Sequence, residues 1–440
     1  MKKGLIKNIF SLGVVQIANF AFPVITVLVV SRIIGPDKFG VINFAAAFVT
    51  YFTLLINYGF DLSATRVIAA NRDNLEERNR IFNLVILAKL LLFGLSIVLF
   101  VGSLFLIPQL RQEKTVAIFS FIFCFSWVIT PTWLYQGMQE LSRVAIFNLS
   151  TKILSTLIIL LVIRVKSDYI WQPLALSLAQ IAVGIYAFFF AIRRYKITLY
   201  WAPLKPVLKM LWTEKLLFFS TVVVNLYTTT NVVILGFMQS DTQVGYYTAG
   251  WRLITVVQAL ISLPLAQALF PFIGTAFAGS RERGLEVVRQ LFPVVTLITL
   301  GAALMMWLFG PMAILLFYGE KFAPAIGVFR ILVFVPMMIG WNNLLGVQTM
   351  INLKKDKMFF WITAAGAILS LGLNVLLVSL LGYKGSAWSW LITEMLITLM
   401  MFSVLYRDGI TVLKGKYFHP ANFVRLIQPI VLGIRKKMIK

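Results

Sequence analysis

The chain has 440 residues, 60% of them apolar and only 13% charged, with a mean hydropathy of +0.89. An ordinary soluble domain is about half apolar and about a quarter charged, so this composition specifies a polytopic membrane protein. One cysteine, Cys124, and one histidine, His419, exclude a disulfide framework, a metal site built on those residues and histidine-based catalysis.

The apolar runs are solid and about 20 residues long, which is the length of a spanning helix and not of a barrel strand. Twelve spans are predicted, over roughly 9–34, 40–59, 81–107, 115–135, 144–165, 170–192, 216–238, 245–278, 291–318, 326–352, 358–381 and 385–406. The start, "MKKGLIKNIFSLGVVQ", is basic like a signal peptide. Its apolar run continues past Ile34 without a small-residue cleavage site, so it reads as a retained first helix.

The net charge of +24 follows from topology. With the amino terminus in the cytoplasm, 28 Lys and Arg fall in inward segments and 8 in outward ones. This distribution places both ends inside, requires an even number of spans and removes any need for a nucleic-acid partner. The inward stretch 193–215, "RRYKITLYWAPLKPVLKMLWTEK", is basic and aromatic and reads as an amphipathic linker on the inner leaflet. It divides the chain into six spans over 1–192 and six over 216–406, leaving a basic tail at 407–440 that lies on anionic lipid or docks a partner. The halves echo each other. "GPDKFGVINFAAAF" follows span one and "SDTQVGYYTAGWRL" follows span seven, each with an acid, a glycine three or four residues on, and small and aromatic residues opening the next helix. Six spans per half give a parallel repeat.

Four cations remain inside spans, Lys89, Lys152, Arg252 and Arg330, against one comparably deep acid, Glu394. At about 1.5 Å per residue, Lys89 and Lys152 lie roughly 13 Å from the inner face, and Arg252 and Arg330 about 10 and 6 Å from the outer face. Arg330 can snorkel to the surface and Arg252 can do so in part, whereas the lysines are too deep for an easy escape and are expected to face a polar cavity. Glu394 is either a structural partner of one of these cations or a coupling carboxylate. The surplus of positive charge suits an anionic substrate, handed from the lysines toward the arginines. Asn19, Asn231 and Asn374 supply polar neighbours, and Pro23, Pro264 and Pro336 mark places where spans can bend.

Five stretches resemble the O-antigen flippase family, the polysaccharide-transporter branch of the superfamily that also holds multidrug antiporters and lipid II flippases. They are "SRIIGPDKFG", "TPTWLYQGMQELSRVA", "FFSTVVVNLYTTTNVVILGFMQSDTQVGYYTAGWRL", "FYGEKFAPAIGVFRIL" and "NVLLVSLLGYKGSAWSWLITE", in order over nearly the whole chain. The resemblance implies an all-α bundle of about twelve helices in two six-helix lobes around a central cavity. It implies a transporter of the bacterial inner membrane that moves an undecaprenyl-diphosphate-linked oligosaccharide outward, without a cofactor, with proton or sodium coupling open and polysaccharide-assembly proteins as possible partners. Lys152 and Arg252 occupy places where the family often has a basic residue. After "QG" the family often carries Glu where this chain has Met138 and Gln139, so Glu140 receives no role. A membrane polymerase or ligase would need a larger outward segment than these short loops provide, and a multidrug antiporter would need more buried acids.

Overall fold

The computed structural model describes residues 2–418, with side chains at 22–219, 221–222, 229–261 and 272–418. Regular structure among them is helical throughout, as the hydrophobic runs require. The first eight helices are α1 (Lys2–Asn57), α2 (Phe60–Ala70), α3 (Leu75–Leu106), α4 (Pro108–Gln112), α5 (Lys114–Ile129), α6 (Thr132–Gly137), α7 (Leu141–Val162) and α8 (Trp171–Tyr195). The rest are α9 (Leu204–Met238), α10 (Asp241–Gly279), α11 (Arg281–Tyr318), α12 (Ala325–Leu332), α13 (Val335–Asn342), α14 (Asp356–Leu381) and α15 (Tyr383–Arg407). A π-helical segment, Asn343–Met350, continues α13. Nine helices among the described residues are long and apolar enough to cross a membrane.

The first two predicted spans are the arms of α1, broken at Gly35 (φ 75°, ψ 173°). That conformation favours glycine, and the proline that follows disfavours the helical region for residue 35. Two predicted boundaries move. The 193–215 linker is helical from Leu204, after Pro203, and continues into span seven. At the end of predicted span two the chain turns at Gly59 (φ 84°) and resumes as α2.

The molecule divides into two compact units. The first runs up to Ala249 and includes Ile314–Pro324; the second holds Gly250–Ala313 and the residues from Ala325 on. In the first, Tyr135 is buried, donates to the Ala187 carbonyl at 2.6 Å and packs its ring against Phe147 and Tyr195. The segments placed in the cytoplasm are tied together beside it. Arg72 donates to the Gly137 carbonyl at 2.8 Å, and Arg78 donates to the carbonyls of Arg72 and Tyr195. Glu140 pairs with Arg143 and Arg194. Burial alone would push its carboxyl up, but the two guanidiniums prevail and hold it below the usual carboxylate range.

In the second unit, α14 and α15 meet at the tight turn around Gly382 (φ 57°). A Cβ added to Gly385 would lie 2.0 Å from the Leu377 carbonyl oxygen. Gly385→Ala should therefore force the pair apart, costing about 1–3 kcal/mol as overpacked sites do, and should lower the apparent unfolding temperature in detergent.

Candidate functional site

The two echoing segments pack against each other inside the first unit. A Cβ on Gly40 would sit 1.7 Å from the Asp241 carbonyl oxygen, and one on Gly245 would sit 2.0 Å from the Pro36 carbonyl oxygen. Each glycine thus abuts the residue four positions before the other, the reciprocity expected of two repeats related by a local two-fold. Only hydrogen fits at either point, because backbone atoms cannot yield as a flexible side chain can.

Polar and aromatic contacts surround this crossing. Lys38 donates to Glu113 at 2.7 Å and to the Tyr169 hydroxyl at 3.3 Å, while Tyr169 donates to Glu113 at 2.6 Å. Asp37 pairs with Lys166 at 2.8 Å. Phe39 is buried edge-on against Tyr318 and Phe322, and Arg32 donates to the Leu316 carbonyl at 2.5 Å. Several segments that the charge count places outside the membrane converge here.

Lys89 is enclosed in the first unit, 1% exposed, and donates to the Trp127 carbonyl at 3.1 Å. The reason lies in α5. Carbonyl 127 would ordinarily accept from the N–H of residue 131, but residue 131 is proline and has none. The lysine supplies the missing donor, at the helix end where a cation is favoured. Its charge also lies within the field of Asp61, which accepts from Asn57 at 2.8 Å. Asp61 was missed in the sequence because the boundary drawn at residue 59 left it outside the membrane.

Lys152 is half-buried on α7. Asn231 is buried and bonds the Tyr247 hydroxyl, joining α9 to α10. Trp127 also lines a cavity of about 410 Å³ between α1, α5 and α8, with Phe123, Thr50, Thr53, Ser120 and Ser177. Aliphatic and aromatic side chains make most of its wall and no charged residue lines it, while Ser120 Oγ is buried without a partner. Such walls suit an uncharged amphiphilic group.

The other predicted residues lie in the second unit, except Asn19, whose side chain falls outside the described residues. Arg252 is half-buried on α10. Arg330 is exposed, its guanidinium over the Trp307 ring at 5.3 Å. Asn374 is fully buried and accepts from Ser386 at 3.4 Å. Glu394, 4% exposed, accepts from Asn342 at 2.7 Å and from the Trp390 indole at 3.2 Å. Thr398 completes the group by donating to Asn342 at 2.7 Å. The carboxyl therefore has two neutral donors, at the point where α13 passes into the π-helical segment, a distortion often found at functional sites. The structure thus brings together Lys89 with the Trp127 carbonyl, and Glu394 with Asn342. It keeps the two predicted lysines in one unit and the two arginines in the other.

A family profile described as polysaccharide biosynthesis protein matches residues 5–277. The chain belongs to that family. Over 412 residues it is 28% identical to a protein of Escherichia coli (strain K12) named "Putative O-antigen transporter", covering 93% of this chain and 99% of the relative. A Shigella dysenteriae protein of the same name is 26% identical over 399 residues, covering 91% and 99%. The fold matches a multidrug resistance MATE family transporter of the MOP superfamily in an inward-facing conformation, with a TM-score of 0.72, 15% identity and coverage of 89% of this chain and 94% of that one. It also matches lipid II flippase MurJ in an inward closed conformation, with a TM-score of 0.68, 14% identity and coverage of 96% and 92%. The expected all-α membrane fold of this superfamily is therefore present.

The glycine crossing yields a direct test. With Cys124→Ser as background, Phe39→Cys should react slowly with a maleimide, because position 39 is buried. Adding Gly245→Val should wedge the segments apart and raise that rate at least about tenfold, the change that about 1.4 kcal/mol of local opening gives.

Proposed function

We propose that the protein is a flippase that carries an undecaprenyl-diphosphate-linked O-antigen oligosaccharide from the cytoplasmic to the periplasmic leaflet of the bacterial inner membrane. The observation that carries this reading is the near full-length match to two relatives named for O-antigen transport. The fold of a lipid II flippase, a transporter of another lipid-linked saccharide by its name, is consistent with it. The excess of intramembrane cations over acids supports an anionic headgroup over a cationic drug.

In this reading the helices of 1–192 and of 216–406 form two six-helix lobes that alternate access, with both termini in the cytoplasm. The crossing of Gly40 and Gly245 parts when the carrier is released outward. Lys152 and Arg252 bind the diphosphate, with Arg330 receiving it nearer the outer face. Asn19, Asn231 and Asn374 contribute polar lining or hold the helices that do. Lys89 acts at one remove, by holding the end of α5 and the wall that Trp127 gives to the cavity. Glu394 is the residue proposed to take up a proton during the cycle, since its two donors are neutral.

Reconstituted protein and a short polyprenyl-diphosphate sugar test this assignment. Lys152→Gln should lower the flipping rate at least about tenfold, the loss of one charge-assisted contact of about 1.5–3 kcal/mol, with little change in unfolding temperature. Lys89→Gln should lower the unfolding temperature first. Normal flipping by Lys152→Gln would remove that residue from the path, and failure of wild type to move the lipid would remove the substrate.

A further inference from the structure

On the side assigned to the cytoplasm, the stretch between α8 and α9 is not a slack linker. It runs along α3, held by two asparagines one helical turn apart. Asn79 accepts from the Thr198 N–H at 3.2 Å, and Asn83 accepts from the Tyr200 N–H at 2.9 Å while donating to the Thr198 carbonyl at 2.9 Å. Buried Ile197, Ala202 and Val207 anchor the stretch in the core of the first unit. The residues between the first two anchors, 198–201, are all exposed, Trp201 at 83%.

Two apolar surfaces result. One is a groove of about 300 Å³, walled by Ile86, Leu87 and Leu90 of α3, Phe188 of α8, and Leu199 and Trp201. The other is a stripe along the start of α9. Val207, Met210 and Leu211 face the protein core, whereas Leu204, Leu208, Trp212 and Leu216, spaced by four, are exposed. The start of this helix is thus apolar on two sides, one covered by protein and the other open. Residues 193–215 carry six cations against the single acid Glu214; of these Arg194 pairs with Glu140, and Lys215 lies over the Trp212 ring at 3.2 Å.

We propose that this groove and the adjoining stripe form a binding site for an anionic phospholipid of the inner leaflet, with an acyl chain in the groove and the headgroup held by Lys205, Lys209 and the interfacial tryptophans. Charge complementarity selects the occupant. A zwitterionic lipid fills the groove equally well but leaves the local excess of positive charge uncompensated, and anionic lipid attracts such basic segments within a Debye length. The site is separate from the diphosphate path proposed above, because its residues are neither Lys152 nor Arg252.

The test uses the full-length protein in nanodiscs or detergent micelles of defined lipid content. Native mass spectrometry and unfolding temperature would be compared for phosphatidylglycerol or cardiolipin against phosphatidylcholine. Wild type should retain anionic lipid at least fivefold more than phosphatidylcholine and unfold at a higher temperature in its presence. Trp201→Ala and Lys205→Gln/Lys209→Gln alter exposed positions, so they should fold normally and lose that preference. Lys152→Gln should keep it, which separates this site from the transport path. Equal retention of both lipids, or an unchanged preference in both variants, would overturn the proposal. So would displacement of the phospholipid by an equimolar polyprenyl diphosphate, which would assign the groove to the transported lipid.

Discussion

A charge in hydrocarbon costs at least about 2.5–3.5 kcal/mol at the centre of a span unless the protein supplies its partners. That constraint accounts for the local structure around Lys89 and Glu394. Lys89 is tolerated because Pro131 leaves a carbonyl on α5 without a donor, so the ammonium completes a helix end that sequence chemistry had opened. Glu394 is tolerated because Asn342 and Trp390 approach it from α13 and from its own helix. Both residues thereby order the helices around them. Removing either one leaves a partner unsatisfied as well as a charge missing.

The second organising feature is steric. Backbones at Gly40 and Gly245 come close enough to exclude a Cβ, and the contact is reciprocal between two segments that share a pattern of acid, glycine and aromatic residue. The two segments meet reciprocally, so a glycine on each serves the same contact. The ion pairs around it are partly exposed, and such pairs contribute about 0–1 kcal/mol each. Close packing therefore defines the geometry, and the surrounding charges tune it.

Much of this was legible in the sequence, for identifiable reasons. Apolar runs mark helices because a spanning backbone must satisfy its own hydrogen bonds, and the Gly35–Pro36 pair marks the break in α1. The echo drew attention to both glycines, although nothing in a linear pattern says that they touch. Two kinds of information were out of reach. Partners far apart in the chain, such as Asn342 and Glu394, have no local signature. Boundaries drawn by hydropathy fail where a helix is amphipathic, which is why α9 begins at Leu204 and why Asp61 was placed outside the membrane. The role of Lys89 was readable in principle, since Pro131 stands four residues after Trp127. Hydropathy alone poses the question of a buried lysine without pointing to a backbone carbonyl as its answer.

The contacts on the two sides of the membrane differ in kind. Those placed inward join segments within the first 200 residues, through hydrogen bonds of Arg72, Arg78 and Asn83 to backbone and through the ion pair of Glu140 with Arg194. Those placed outward join residues of the first two spans to α10, α11 and the turn after it, as in Arg32 with Leu316 and Phe39 with Phe322. The inward set fixes short connecting stretches against the helices, beside buried side chains that anchor the same stretches. The outward set joins helices that are each complete without it, so it can separate while secondary structure survives. At the glycine crossing two backbones meet within the first unit, and the buried Phe39 ring and the Lys38–Glu113 pair hold the segments beside it.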